Sequence, residues 1–119
     1  MVLVDTSIWI SHFREGNSYL KKLLLDESVV CHPFIIGELA CGHIKNRKEI
    51  ISLLQALPQA QTAENDEILQ FIEHKRLIGL GIGLIDVHLL ASSLLSNVLF
   101  WTVDSQLRTT ASRLNVLYK

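Results

Sequence analysis

The sequence predicts an α/β fold in three layers, with a mainly parallel central sheet flanked by helices. Short apolar runs alternate with longer segments of helical periodicity, which is the pattern of strands joined by crossover helices. The connections between them are short, with no repeat, linker or low-complexity tract. A chain of 119 residues fits one hydrophobic core. We therefore expect a single domain over residues 1–119.

The first half of the chain contains two apolar runs typical of buried strands, at residues 2–4 and 29–31. Pro33 favours a helix start, because the first turn of a helix leaves its N–H groups unpaired. Asp5 or Thr6, and later Asn17, are suitable N-terminal caps. Helices are therefore expected from Asp5 or Thr6 through residue 13, over 17–24, over 34 to about 45, and over 48–57.

The second half begins with a weak strand candidate at 60–62 and an amphipathic helix over 64–77. Glycines at 79, 81 and 83 indicate a turn, since their spacing matches neither a dinucleotide fingerprint nor a phosphate loop. The remaining expected elements are a buried helix over 84–95, a strand over 98–103, a helix over 105–114 and a closing strand over 116–118.

The composition favours a protein with partners and no membrane segment. Apolar residues make up 49% of the chain and the mean hydropathy is +0.30. A surplus of apolar surface on a small domain usually forms an interface, so we expect a homodimer, a protein partner or both. The apolar stretch 77–101 contains Asp86, which would cost roughly 2.5–3.5 kcal/mol at the centre of a spanning helix. With no basic leader before the first strand, the cytoplasm is the expected compartment.

Four acidic residues stand at the edges of apolar segments. They are Asp5, Glu38, Asp86 and Asp104, and no Lys or Arg lies within three positions of any of them. A carboxylate at the edge of a buried segment is unfavourable unless a positive charge compensates it. A hard divalent cation with oxygen ligands, Mg²⁺ or Mn²⁺, is the natural counter-charge.

The predicted elements allow the four acids to converge. Asp5 and Asp104 follow predicted strands, Glu38 lies in the helix after the second strand, and Asp86 lies in the first turn of its helix. Ligands of open parallel sheets collect at the carboxyl ends of the strands. Taken singly, Asp5 and Asp104 are more simply helix caps and Glu38 a solvent-facing position. The compatible set of four favours a metal-dependent site for phosphodiester hydrolysis.

Two other groups of residues are candidate sites. Cys31, His32, Cys41 and His43 could be imagined as zinc ligands. Neighbours on a strand point to opposite faces, however, so Cys31 and His32 cannot easily share one ion. Lys45, Arg47 and Lys48 follow the helix that carries Glu38. They are either a solvated helix end or contacts to an RNA backbone, which supply non-specific affinity.

Four fragments resemble the PIN-domain ribonucleases in order and spacing. They are Val4-Asp5-Thr6-Ser7, Gly37-Glu38-Leu39, Gly83-Leu84-Ile85-Asp86 and Thr102-Val103-Asp104. The small size resembles the VapC-type toxins of toxin–antitoxin pairs. The resemblance implies an endoribonuclease dependent on Mg²⁺ or Mn²⁺. Asp5, Glu38, Asp86 and Asp104 would be its catalytic and metal-binding acids, Thr6 and Thr102 supporting hydroxyls, and an antitoxin its partner. His88 is a departure, because the family commonly has small or apolar residues there.

Two other functions are compatible with acids at strand ends. A phospho-signalling receiver domain has adjacent acids after its first strand, whereas Thr6 and Ser7 follow Asp5 here. A binding module that kept the fold and lost activity is the second alternative. The retention of all four acids argues against the inactive module, and a metal titration separates the two possibilities.

Overall fold

The computed structural model describes all residues 1–119 and centres on a parallel sheet. Its strands are β1 (Val2–Val4), β2 (Val29–Val30) and β3 (Leu99–Trp101), in the order β2-β1-β3. Val2 pairs with Val29 on one side and with Leu99 on the other. Every pairing is parallel, so the carboxyl ends of all three strands meet at one edge. The predicted α/β class with a central parallel sheet is confirmed.

Seven helices surround this sheet. Each apolar strand is followed by a helix whose inner face is buried, as the alternating pattern predicts. The helices are α1 (Thr6–Glu15), α2 (Ser18–Leu25), α3 (Pro33–Ala40), α4 (Arg47–Ala56), α5 (Asn65–His74), α6 (Leu84–Ser96) and α7 (Ser105–Arg113). None of them is long and apolar enough to cross a membrane.

The core lies between the sheet and the helices. Leu3 and Val4 of β1 and Phe100 of β3 are completely buried. Leu89 and Leu90 of α6 are also completely buried, which agrees with the prediction that this helix is apolar on most sides. A smaller cluster joins α5 to α6 through Ile68, Val87 and Ala91. Because β1 is central and buried, its pairing on both sides fixes the backbone that leads into Asp5.

Two predicted helices were too long. The helix expected to reach residue 45 ends at Ala40, and Arg47 Nη2 donates a hydrogen bond of 2.9 Å to the Ala40 carbonyl. The chain therefore turns through residues 41–46 before α4 begins. The helix expected to reach residue 77 ends at His74, because Arg76 adopts a left-handed conformation with φ of 56°. Such a conformation cannot continue a right-handed helix.

The strand predictions were also too generous. The strand expected over 98–103 ends at Trp101, whose carbonyl accepts a 2.9 Å hydrogen bond from Asp5 N. The predictions of strands at 60–62 and 116–118 were wrong. Instead, single parallel bridges join Gln59 to Cys31 and Leu117 to Phe100. These bridges extend the sheet by one residue pair at each outer side.

A buried histidine connects α3 to α6. His32 is the N-cap of α3, and its Nδ1 accepts a 2.9 Å hydrogen bond from Phe34 N. With Nδ1 acting as acceptor, the proton of the neutral ring lies on Nε2, which is 3.0 Å from Ser92 Oγ of α6. Burial, assisted by the nearby His88, lowers the pKa of His32 from 6.5 to about 4. The ring is therefore neutral at physiological pH, and both of its nitrogens are hydrogen-bonded.

This lowered pKa predicts a pH-dependent contribution to stability. Above pH 6.5 the ring is neutral in both folded and unfolded chains. As the pH falls from 6.5 towards 4, the unfolded chain binds a proton that the folded chain resists, so the free energy of unfolding decreases. Denaturant titrations of wild type and His32→Gln should show the wild-type advantage narrowing over that range. A difference that stays constant from pH 7 to 4.5 would contradict a buried neutral His32.

Candidate active site at the carboxyl edge of the sheet

Asp5 lies at the centre of the site because it ends the central strand. It follows β1 directly and is the N-cap of α1. Its Oδ1 accepts a 2.8 Å hydrogen bond from Thr6 N, and its Oδ2 accepts one of 2.7 Å from the Thr102 hydroxyl. The cap and the threonine therefore fix both carboxylate oxygens. A half-buried carboxylate held in this way has one defined orientation towards solvent.

Thr6 connects Asp5 to Glu38. The hydroxyl of Thr6 donates a 2.7 Å hydrogen bond to Glu38 Oε1, which lies on α3. Glu38 is exposed, so this single bond orients a side chain that would otherwise rotate freely in solvent. The predicted supporting role of Thr6 thus has a definite geometry, because the residue that begins α1 holds an acid of α3.

Thr102 connects Asp5 to the segment of Asp104. Thr102 is completely buried just beyond β3. Its hydroxyl donates to Asp5 Oδ2 and accepts a 3.2 Å hydrogen bond from Asp104 N. Asp104 is the N-cap of α7, and its Oδ1 accepts a 2.9 Å hydrogen bond from Leu107 N. One buried hydroxyl therefore sets the relative positions of the residues that follow β1 and β3.

Asp86 approaches from the helix side. It lies in the first turn of α6, and its Oδ2 accepts a 3.1 Å hydrogen bond from Gly83 N. The side chain is half-buried. Its charge is close enough to Asp5 to raise the pKa of the Asp5 carboxyl. This effect indicates that Asp86 lies near the edge occupied by Asp5. The glycine turn before α6 allows that position.

The electrostatics of the site show like charges gathered together. Burial raises the pKa of Asp5 above its ordinary value of 3.8, and the neighbouring charges of Asp86 and Glu38 add to the rise. The hydrogen bonds from Thr102 and Thr6 act in the opposite direction. The carboxylates accept their hydrogen bonds from hydroxyl and main-chain N–H groups, not from Lys or Arg side chains. The negative charge at this edge is thus uncompensated by protein cations.

The donor set suits a divalent cation bound partly through water. Glu38, Asp86 and Asp104 each use one carboxylate oxygen for a local hydrogen bond, which leaves the other oxygen available. No three His, Cys, Asp or Glu side chains are placed to hold one ion by themselves. Mg²⁺ usually keeps several waters and binds one or two carboxylates directly. The residues therefore fit a hydrated ion better than a cage in which all four acids coordinate directly.

The three predicted RNA-contacting residues are all exposed but differ in their surroundings. Arg47 caps the end of α3 through Nε and Nη2, which leaves Nη1 without a hydrogen bond inside the protein. Lys45 lines a groove of about 600 Å³ between α1 and the 41–46 turn, together with Glu38. Lys48 lies in the first turn of α4. Lys45 is therefore the member of the three that lines the same groove as Glu38.

Sequence reasoning missed Arg108. This residue of α7 donates through Nη1 to the Thr102 carbonyl at 3.4 Å, so a guanidinium lies against the same segment that carries Thr102 and Asp104. Arg108 follows Asp104 by four residues, a spacing that places both on one side of the predicted helix. That spacing was the signal available in the sequence. The direction of the side chain depends on the Thr102 carbonyl, which the sequence does not reveal.

The alternative zinc site is not formed. Cys31 is buried and Cys41 is exposed. Burial raises the pKa of the Cys31 thiol to about 11, which disfavours the thiolate that zinc requires. His32 already has hydrogen bonds at both ring nitrogens. The geometry provides no group of three such ligands.

Removing one charge from the site should separate stability from metal binding. We expect Asp86→Asn to leave the metal-free protein as stable as wild type or more stable, because repulsion on Asp5 falls while the amide oxygen can still accept from Gly83 N. Mg²⁺ should raise the melting temperature of wild type clearly and that of the variant much less. Melting curves with EDTA and with Mg²⁺ measure both effects.

Asp66→Asn provides the matched control, since Asp66 also lies in the first turn of a helix, α5. The control should keep the full response to Mg²⁺. A destabilised Asp86→Asn protein, with Mg²⁺ having no effect on either chain, would show that Asp86 is a structural cap only.

Comparison with known proteins agrees with this arrangement. The sequence profile of the family described as PIN domain matches residues 2–112. Ribonuclease VapC32 of Mycobacterium tuberculosis, from strains CDC 1551 / Oshkosh and ATCC 25618 / H37Rv, is 40% identical over 117 residues. The alignment covers 98% of this chain and 94% of the relative. The crystal structure of PAE2754 from Pyrobaculum aerophilum matches with a TM-score of 0.60, covering 92% of this chain and 78% of that chain at 14% identity. The chain therefore belongs to the PIN domain family, and within it to the VapC type.

Proposed function

We propose that this chain is a metal-dependent endoribonuclease that acts as the toxin of a toxin–antitoxin pair. Support comes from the full-length similarity to a protein named as a ribonuclease. The observation that carries the proposal is the state of Asp5: a half-buried carboxylate, fixed at both oxygens, whose pKa is raised by burial and by Asp86 and Glu38. Such an arrangement is unfavourable without a cation and favourable with one.

The acids would hold Mg²⁺ or Mn²⁺ at the carboxyl edge of the sheet. In this proposal Asp5, Asp86 and Asp104 hold the ion, one or two of them directly and the rest through water, and Glu38 binds the ion or orients a water. When bound, the cation activates water and stabilises the negative charge that develops on the phosphate. Hydrolysis with loss of the 3′ oxygen would leave 5′-phosphate ends.

The rest of the site would position these groups. Thr102 and the Thr6 main chain orient the Asp5 carboxylate, and the Thr6 hydroxyl orients Glu38. Because these bonds exist before substrate binds, little reorganisation is needed during the reaction. The geometry thus favours a catalytic site over a binding module that has merely kept the fold.

Contacts to the RNA backbone would come from basic side chains around the acids. Lys45 and Lys48 are exposed, and Arg108 lies against Thr102. With a net charge of −1, the whole protein offers no attraction to RNA. Local cations and the bound metal would therefore supply the affinity, which should fall as salt concentration rises.

An antitoxin is the proposed protein partner. The groove beside Glu38 has an apolar lining that includes Ile10, Phe13 and Ile44. A helical antitoxin segment could cover this lining, and an Arg from it could pair with the carboxylates in place of metal. Large exposed apolar side chains such as Leu94 and Leu99 provide additional surface for a homodimer. We place the action of the pair in the cytoplasm.

Cleavage should depend on metal and on the acids. Purified protein should cut RNA with Mg²⁺ or Mn²⁺ and stop when a chelator is added. Asp5→Asn should lower the rate by at least about 100-fold, since it removes a charge that the cation requires, a loss comparable to deleting one transition-state contact. Gel analysis of end-labelled RNA measures both results. Equal cleavage in excess EDTA would contradict the proposed mechanism.

Expression should be toxic unless the partner is present. Induction of the wild-type chain alone should arrest growth of a bacterial host, because RNA cleavage would be unopposed. Co-expression with the proposed antitoxin should restore growth, and Asp5→Asn should be harmless without any partner. Growth curves measure this. A harmless wild-type chain that stays monomeric at high concentration would contradict the toxin assignment.

A further inference from the structure

An exposed aromatic ring lies one helical turn from Glu38. Phe34 is 40% exposed and lies in the first turn of α3, four residues before Glu38. Residues four apart lie on the same face of a helix. The ring is therefore a neighbour of an active-site acid, on the surface that a bound RNA would cross. Neither the proposed hydrolysis nor the core packing makes use of its exposed face.

The ring of Phe34 packs against the rings of two histidines. The centroid of His32 lies 5.2 Å away at an interplanar angle of 54°. The centroid of His88, on α6, lies 4.8 Å away at 72°, an edge-to-face arrangement. The main chain is also fixed, since Phe34 N donates to His32 Nδ1. A ring that is restrained in this way loses little conformational entropy when a ligand stacks on it.

His88 differs from His32 in having no partner inside the protein. It is only 8% exposed, yet none of the side-chain hydrogen bonds of the chain involves it, whereas His32 is satisfied at both nitrogens. The fully buried side-chain polar atom that lacks a partner is Trp9 Nε1, so the ring nitrogens of His88 must reach the surface. His88 follows Asp86 by two residues. A polar edge is thus presented beside the Phe34 ring, while Asp86, two residues earlier, lies on a different side of α6.

We propose that Phe34 and His88 form a base-binding subsite, which receives one unpaired base of the RNA next to the bond that is cut. The base stacks on the exposed face of Phe34, and a His88 ring nitrogen hydrogen-bonds to its edge. This inference rests on the proposed ribonuclease function and adds to it the recognition of a single-stranded nucleotide.

The chemistry of the subsite favours a base over other occupants. Splayed-out bases of single-stranded RNA characteristically stack on aromatic side chains, with a hydrogen bond at the base edge. The pair carries no acidic group of its own, and Phe34 lies one helical turn from Glu38, where the phosphate would lie. A base stacked there would place its backbone phosphate near Glu38.

The test compares intact and abasic RNA. An oligonucleotide that wild type cuts at one mapped bond is prepared with all its bases, and again with the base removed on either side of that bond. Phe34→Leu should lower kcat/KM on intact RNA about 10-fold, a typical effect of losing one base–aromatic stack. The same variant should lose little on the RNA that lacks the stacked base. Phe34→Trp should restore the wild-type value.

Tyr19→Leu is the matched control, because Tyr19 is an aromatic residue that is 75% exposed on α2, a helix that carries none of the four acids. It should leave kcat/KM unchanged on every RNA. His88→Leu should reduce discrimination between bases at the stacked position, as a lost hydrogen bond requires.

Three results would overturn the subsite. They are a Phe34→Leu enzyme with wild-type kcat/KM on intact RNA, an equal loss of kcat/KM on intact and abasic RNA, and a loss of activity together with a change in sedimentation that marks Phe34 as a contact between protein chains. In each of these three cases the wild-type enzyme still cuts RNA, so the result contradicts the subsite and not the proposed function. A wild type that cuts no RNA would instead overturn the proposed function, and the subsite with it.

Discussion

The position of the Asp5 carboxylate is the constraint on which the site depends. It follows the central strand of the sheet, so the buried pairing of β1 with β2 and β3 fixes its backbone. Its two oxygens accept hydrogen bonds from Thr6 N and the Thr102 hydroxyl. Those two threonines in turn hold Glu38 and the Asp104 backbone. One hydrogen-bonded chain therefore organises three helices around the carboxyl edge of the sheet.

The same arrangement is electrostatically unfavourable in the metal-free protein. Like charges that approach Asp5 and its partial burial both oppose ionisation of its carboxyl group. At an effective dielectric near 20, two unit charges about 5 Å apart repel by roughly 3 kcal/mol before screening. Rigid neighbours are needed to keep the acids together against this repulsion. The His32–Ser92 pair joins α3 to α6, the helices that carry Glu38 and Asp86, and so contributes to that rigidity.

The sequence predicted the central parts of the fold well, and for a physical reason. The limits of β1 and the caps at Asp5, Asn17 and Asp104 depend on local patterns, and the structure has them as expected. The end of α3 and the outer sheet bridges depend on distant partners, namely Arg47 for the helix and the neighbouring strands for the bridges. Arg108, and the contact between Phe34 and His88, were missed because both require knowledge of tertiary packing.

The pKa of Asp5 is the quantity that tests the account most directly. It can be measured by NMR titration of the carboxyl carbon, first in EDTA and then with saturating Mg²⁺. We expect the pKa of Asp5 to lie above the ordinary 3.8 without metal, because of burial and the nearby Asp86 and Glu38. We expect this pKa to fall below that value when Mg²⁺ binds, since a cation favours the charged form. An ordinary pKa that does not respond to Mg²⁺ would contradict a metal site built around Asp5.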